Sequence, residues 1–114
     1  MARLGAGPPA GQKFVTKDRW RRTVCLSERA MGHIVGEHRE LDGHELLIQT
    51  AVEEADVRTR GRKDGAEVHD REVLWVRNIG PAQWFRVVVR YEGSLGRVIT
   101  AYADPDGPEA AEHI

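Results

Sequence analysis

This 114-residue chain has one cysteine, Cys25. An internal disulfide and a cysteine-cluster zinc site are therefore excluded. Its flanks, Thr23-Val24-Cys25-Leu26, have strand character. Free thiols most often pack as small apolar side chains, so Cys25 is expected in the core and not as a nucleophile. No apolar run approaches the roughly 18 residues of a membrane span. The opening Met1-Ala2-Arg3-Leu4-Gly5-Ala6-Gly7-Pro8-Pro9-Ala10-Gly11 lacks the apolar centre of a secretory signal. A cytoplasmic setting fits this inventory, as does delivery within a larger effector; a membrane partner is not expected.

An excess of either charge is also missing: 17 Lys and Arg stand against 18 Asp and Glu, for a net charge of −1. A protein that holds a long polyanion by charge alone needs a larger cationic excess. The distribution is uneven, however. Basic residues outnumber acidic ones from Arg58 to Arg97, whereas Asp104-Pro105-Asp106-Gly107-Pro108-Glu109 is acidic. That pattern suits a small focused site better than a broad binding surface. There is no glycine-rich phosphate loop of the P-loop or dinucleotide type, and no GxSxG elbow. Gly61-Arg62-Lys63-Asp64-Gly65 is a basic turn, and the carboxylates show none of the pairing of a glycosidase or a two-metal nuclease.

What remains is an ordinary soluble composition, 40% hydrophobic and 31% charged, enough for one domain with a modest core. Residues 1–12 are expected as a flexible tail or linker, 13–104 as a single domain and 105–114 as an acidic tail. A short strand is expected over Trp20 to Leu26. Ser27 is a good N-cap and Glu28 suits the first turn of a helix running to about His38, with an apolar stripe of Ala30, Met31, Ile34 and Val35. Gly32 and Gly36 weaken that helix and point to close packing or substrate approach. Asp42-Gly43 breaks the chain, with Asp42 a candidate cap for a second helix over His44 to Ala55. Strands are expected at Val57–Arg60 and Glu72–Arg77, and Asn78-Ile79-Gly80-Pro81 as a loop. The order predicts an α+β fold: two N-terminal helices on one face of an antiparallel sheet of about four strands, with room for a short extra strand before them. The other sheet face is left open.

The end of the chain carries the strongest pattern. Trp84-Phe85-Arg86-Val87-Val88-Val89-Arg90-Tyr91, a Glu-Gly-Ser-Leu-Gly turn and Arg97-Val98-Ile99-Thr100-Ala101-Tyr102 predict a β-hairpin. With Val89 opposite Ile99, one face holds Phe85, Val87, Val89, Ile99 and Ala101. The other holds Arg86, Val88, Arg90, Val98, Thr100 and Tyr102. Guanidinium forks match phosphate oxygens, so the second face suits a phosphodiester; the plain alternative is a solvated face with cross-strand ion pairs. His33 and His38 lie on the first helix. Histidine titrates near neutral pH, which suits proton transfer, and His33 is placed before His38 for that role. Five residues separate the two, about 140° around a helix, which is not metal-site geometry. His44, His69 and His113 lie in loop or tail contexts.

Taken together, His-Ile-Val-x-x-His-x-Glu-Leu (His33 to Leu41), Ala55-Asp56-Val57-Arg58 and the Val87-to-Tyr102 hairpin resemble the phage-associated branch of the barnase–EndoU–colicin–RelE superfamily of nuclease-fold domains. Arg39 stands where that pattern usually has proline. The resemblance spans roughly Arg19 to Asp104. It implies two helices followed by an antiparallel sheet, and metal-independent endoribonuclease activity of the toxin or effector type without a cofactor. The matching positions are His33, His38, Arg90, Thr100 and Tyr102 as catalytic residues, with Arg58 a further basic candidate for binding substrate; Arg86 joins it as a substrate-binding residue from its place on the cationic strand face. RNA is the implied substrate, and a neutralising immunity or antitoxin protein the implied partner. The competing expectation is a non-catalytic module that uses the same open face for RNA or a protein.

Overall fold

The computed structural model describes residues 8–60, 71–77 and 84–108. Along the chain run β1 (Gln12–Lys17), β2 (Thr23–Ser27), α1 (Glu28–Glu37), a 3-10 turn (Arg39–Leu41), α2 (Glu45–Glu53), β3 (Val57–Arg60), β4 (Arg71–Arg77), β5 (Trp84–Glu92) and β6 (Leu95–Ala103). The strands form one sheet in the order β1-β2-β6-β5-β4-β3. Every neighbouring pair is antiparallel except β2 and β6, which are parallel. The α+β class holds. The expected antiparallel sheet of about four strands is corrected to a mixed sheet of six, and the helices follow two strands instead of opening the domain. A parallel pair needs a long crossover. Here everything from α1 to β5 lies between the partners, so no hairpin signal marks β2 as a neighbour of β6. The expected turns at 61–70 and 78–81, with His69 and His113, lie outside the described residues.

Local chemistry accounts for the helices. The Ser27 hydroxyl accepts from the Ala30 N–H at 3.0 Å, capping α1, and Glu28 sits in its first turn. Met31 and Ile34 are buried against the sheet. The helix stops at Glu37; the His38 N–H donates to the Ile34 carbonyl at 2.7 Å and the backbone turns into the 3-10 segment. Asp42 does not cap α2: His44 holds that position, with no side-chain cap bond. Ile48, Ala51 and Val52 are the buried stripe of α2, and Arg19 Nη1 donates to the Ala55 carbonyl just past its end at 2.8 Å. Gly32 and Gly36 do not serve close approach, because a Cβ at either would meet nothing within 4 Å. Gly32→Ala is therefore expected to stabilise the domain by up to about 1 kcal/mol through helix propensity alone, read as a higher denaturant midpoint at unchanged m-value.

In β5 the buried residues Phe85, Val87, Val89 and Tyr91 alternate with half-buried ones, and the buried set joins Val24, Leu26, Ile34 and Ile48 in the core beneath the helices. The hairpin register is the expected one from Phe85 to Val88 and shifts by one beyond it. Val89 faces Val98, and Arg90 faces Arg97. The reason lies at the turn. Glu92 pairs with Leu95, which leaves only Gly93 and Ser94 as the loop, with Gly93 at φ +62°. A bulge between the two registers then reconciles this tight turn with the core pattern at the far end. The bulge sends Val98, not Ile99, into the core. Cys25 is corrected as well: it is half-buried and sits opposite Arg97, on the face away from Val24 and Leu26.

Next to the turn, Gly96 lies under the Tyr91 ring. A Cβ there would come within 2.7 Å of both Tyr91 Cε2 and Val89 Cγ1. Both neighbours are buried, so they have little room to yield. Gly96→Ala is expected to cost about 1–3 kcal/mol by overpacking, measured by equilibrium denaturation.

A buried polar network locks the β1–β2 turn onto the sheet. Asp18 Oδ1 accepts the Trp20 and Arg22 N–H groups at 2.8 and 2.9 Å, and Oδ2 accepts Arg22 Nε at 2.8 Å and the Tyr91 hydroxyl at 2.7 Å. Arg22 reaches on to Glu72 with both terminal nitrogens and lies 3.7 Å above the Tyr91 ring. Burial, then the hydrogen bond to Asp18, raises the Tyr91 pKa well above its ordinary value. No local sequence pattern marks this network, because its members come from the β1–β2 turn, β4 and β5.

Candidate functional site

The sheet face away from the helices is set by register. Its transverse rows read Tyr102–Arg86–Trp75–Val57, then Thr100–Val88–Val73–Thr59, then Arg97–Arg90–Arg71. This face is open only in part. Thr59, Val73 and Trp75 are buried, with Trp75 Nε1 donating to the Thr59 hydroxyl at 3.0 Å. The β5–β6 half is the half that solvent reaches.

One cluster on that half joins the front of the chain to its end. The His38 ring stacks on Tyr102, with centroids 5.0 Å apart and planes at 20°. Arg86 lies over the Tyr102 ring at 5.3 Å and over the Trp75 ring at 5.2 Å. Two features of the fold bring the imidazole here. The β2–β6 pairing stops at Cys25 and Arg97, so β6 runs on beside α1 without a described strand on that side. And α1 ends just before His38, freeing it from the helical spacing that would tie it to the buried stripe. His38 Nδ1 lies 3.9 Å from Glu40, too far for a hydrogen bond. Arg86 forms an ion pair with Asp104 at 3.6 Å. Its Nε is buried with no hydrogen-bond partner among the described residues, an orphan donor of the kind that asks for an acceptor.

The other expected residues divide. Thr100 sits two residues before Tyr102 on the same face, opposite Val88. Arg90 is on this face but four residues along β5 from Arg86, about 13 Å at strand rise. His33 stays on the outer surface of α1, where Nε2 meets Glu37 at 3.0 Å with the imidazole 65% exposed. Arg58 pairs with Leu74, on the helix side of the sheet, with its guanidinium 4.5 Å from the Trp20 ring. Neither reaches the His38 cluster.

Trp75, Asp104 and Arg97 were not singled out from the sequence as site residues. Trp75 had a signal: it falls in register with Arg86 once β4 and β5 are paired. Asp104 is tied to the sheet, inside the expected domain. Its N–H donates to the Trp84 carbonyl at 2.9 Å, and the turn through Gly107 packs on the Trp84 ring. Among the described residues no group of three His, Cys, Asp or Glu side chains is placed to hold a metal ion, and no helix is long and apolar enough to cross a membrane. No family model, curated protein or solved structure matches this chain.

Proposed function

We propose that this domain is a metal-independent endoribonuclease whose centre is His38, Tyr102, Arg86 and Thr100. The observation that carries it is the stack of His38 on Tyr102 beside Arg86. An acid–base group, a hydroxyl and a guanidinium whose buried Nε has no partner among the described residues meet there on a half-exposed sheet face.

The chemistry follows from what each group supplies. His38 takes the proton of an RNA 2′-hydroxyl. The 2′-oxygen forms a bond to the adjacent phosphorus and the bond from phosphorus to the 5′-oxygen breaks. The departing oxygen takes its proton from the Tyr102 hydroxyl, and the resting state returns when the His38 imidazolium gives its proton to water and the Tyr102 phenolate takes one from water. The products are a 2′,3′-cyclic phosphate and a 5′-hydroxyl, and DNA is inert because it lacks the nucleophile. Arg86 stabilises the charge that builds on the non-bridging oxygens, with Asp104 holding its fork until substrate displaces it. Thr100 donates to the same phosphate. Toxins of this type need a neutralising partner, so expression without one should arrest growth.

One observation favours the second reading, a module that binds RNA without cutting it. Transesterification moves two protons, and among the described residues His38 is the single imidazole that contacts this face. The test is to incubate the purified protein with RNA in EDTA and examine the ends formed. Cyclic phosphates and 5′-hydroxyls support the nuclease. Intact RNA retained on the protein supports the module, and no interaction with RNA removes both.

A further inference from the structure

The same sheet face has a second cationic locus, set by the bulge in β6. Had the register stayed as it is at Phe85 to Val88, Val98 would face Arg90. The one-residue shift puts Arg97 there instead. Two arginines therefore occupy one transverse row on adjacent strands. Like charges placed opposite each other on a sheet are destabilising, and a fold with no use for the row has no reason to keep it.

The two hairpin guanidiniums also converge on one atom. Glu92 Oε1 lies 3.7 Å from Arg90 Nη2 and 3.6 Å from Arg97 Nη1. That carboxylate oxygen shows where an anionic oxygen sits between the two forks. Glu92 itself is 58% exposed and closes a hairpin turn, so it is held only as firmly as an exposed ion pair is, which is weakly. A phosphate offers more oxygens to two forks than this single carboxylate contact does.

We propose that Arg90 and Arg97 form a phosphate subsite separate from the His38–Tyr102–Arg86 centre, and that Glu92 is its built-in competitor anion. Resting on the ribonuclease reading, this assigns the substrate class: single-stranded RNA long enough to span both loci. They stand about 13 Å apart along the strand. A mononucleotide does not bridge that distance, whereas an extended oligonucleotide does. Stacking near Tyr102 with phosphate contacts further along is how single strands are held without sequence readout.

The probes are fluorescently labelled, 2′-O-methylated oligoribonucleotides of two and eight nucleotides, which bind without being cleaved. Anisotropy titrations at several salt concentrations compare the parent with Arg97→Ala, Arg97→Glu and Glu92→Gln. In the parent the octamer binds more tightly than the dimer. Arg97→Ala is expected to weaken the octamer about tenfold, as loss of one charge-assisted contact does, and to reduce the single-strand salt slope by about 0.7. The effect on the dimer is smaller. Arg97→Glu weakens the octamer further, and Glu92→Gln tightens it. Both positions are exposed, and circular dichroism confirms that the variants fold. Parent-like octamer affinity and salt slope in Arg97→Ala would overturn the subsite. If the parent cleaves RNA while that happens, the subsite alone is lost. If the parent neither binds nor cleaves, the ribonuclease reading goes with it.

Discussion

Replacing His38 with alanine is expected to slow RNA cleavage by about 10²- to 10⁴-fold, the usual contribution of a positioned acid–base group. The loss should appear in the single-turnover rate at saturating protein, because in the proposed mechanism the imidazole acts in the chemical step and not in holding substrate. Folding is a minor concern. The His38 side chain is 31% exposed and lies at a helix end, where its backbone N–H and not its ring makes the terminal bond to Ile34. The same substitution at His33 separates the two histidines of the motif: its ring is paired with Glu37 on the outside of α1, so the rate should remain near that of the parent. Tyr102→Phe divides the roles of the tyrosine. It keeps the ring that stacks on His38 and removes the hydroxyl. A rate in His38→Ala equal to the parent's would eliminate the proposed centre, and an equal loss in both histidine variants would shift attention to the helix itself.

The second large effect concerns stability. Asp18→Ala is expected to destabilise the domain by about 3–5 kcal/mol, the cost of removing one partner from a buried ion pair. Four donors converge on this carboxylate: the Trp20 and Arg22 N–H groups, Arg22 Nε and the Tyr91 hydroxyl. Alanine leaves all four without their acceptor and leaves Arg22 with Glu72 as its one described carboxylate partner. Domains of this size have about 5–15 kcal/mol in total, so a substantial share is at stake. Chemical denaturation of parent and variant gives the difference directly, and a change below about 1 kcal/mol, the level of an exposed pair, would mean that the network contributes no more than a surface ion pair. Tyr91→Phe removes one donor and should cost about 1–2 kcal/mol. It also has a pH signature. Burial and the bond to Asp18 raise the folded-state pKa of Tyr91, so the folded state keeps this proton after the unfolded chain has begun to lose it. Its contribution is complete below about pH 10, the ordinary tyrosine value, and is lost as pH rises above that. The parent should therefore lose stability on the alkaline side more steeply than Tyr91→Phe.

The sequence was most legible where interactions are local. Ser27, Glu28 and the Ala30-Met31-Ile34-Val35 stripe sufficed for α1, because capping and a 3.6-residue period involve neighbours within two turns. The alternation in β5 likewise named the buried face. Legibility ended at the bulge. Val98 and Ile99 are both β-branched and apolar, so either satisfies the core in sequence terms. What chose Val98 was a turn of only Gly93 and Ser94, together with Gly96 lying under the Tyr91 ring. From that choice came the placement of Arg97 beside Arg90. The helix histidines divided the same way: their 140° separation showed that they point apart, but the sequence put His33 before His38 as the acid–base group, whereas it is His38 that stacks on Tyr102 and His33 that stays outside with Glu37.

By itself, then, the sequence determined the α+β class, both helices, the identity of β2 to β6 and a hairpin with one apolar and one cationic face, since each follows from residues close together along the chain. Only the tertiary structure decided that β1 and β2 complete a six-stranded sheet, that His38 and not His33 meets Tyr102 and Arg86, and that Asp18, Arg22, Glu72 and Tyr91 form one network. Those outcomes depend on pairings between segments tens of residues apart. Such pairings are selected by shape, register and the satisfaction of buried polar groups over the whole domain, quantities that no local window of sequence contains.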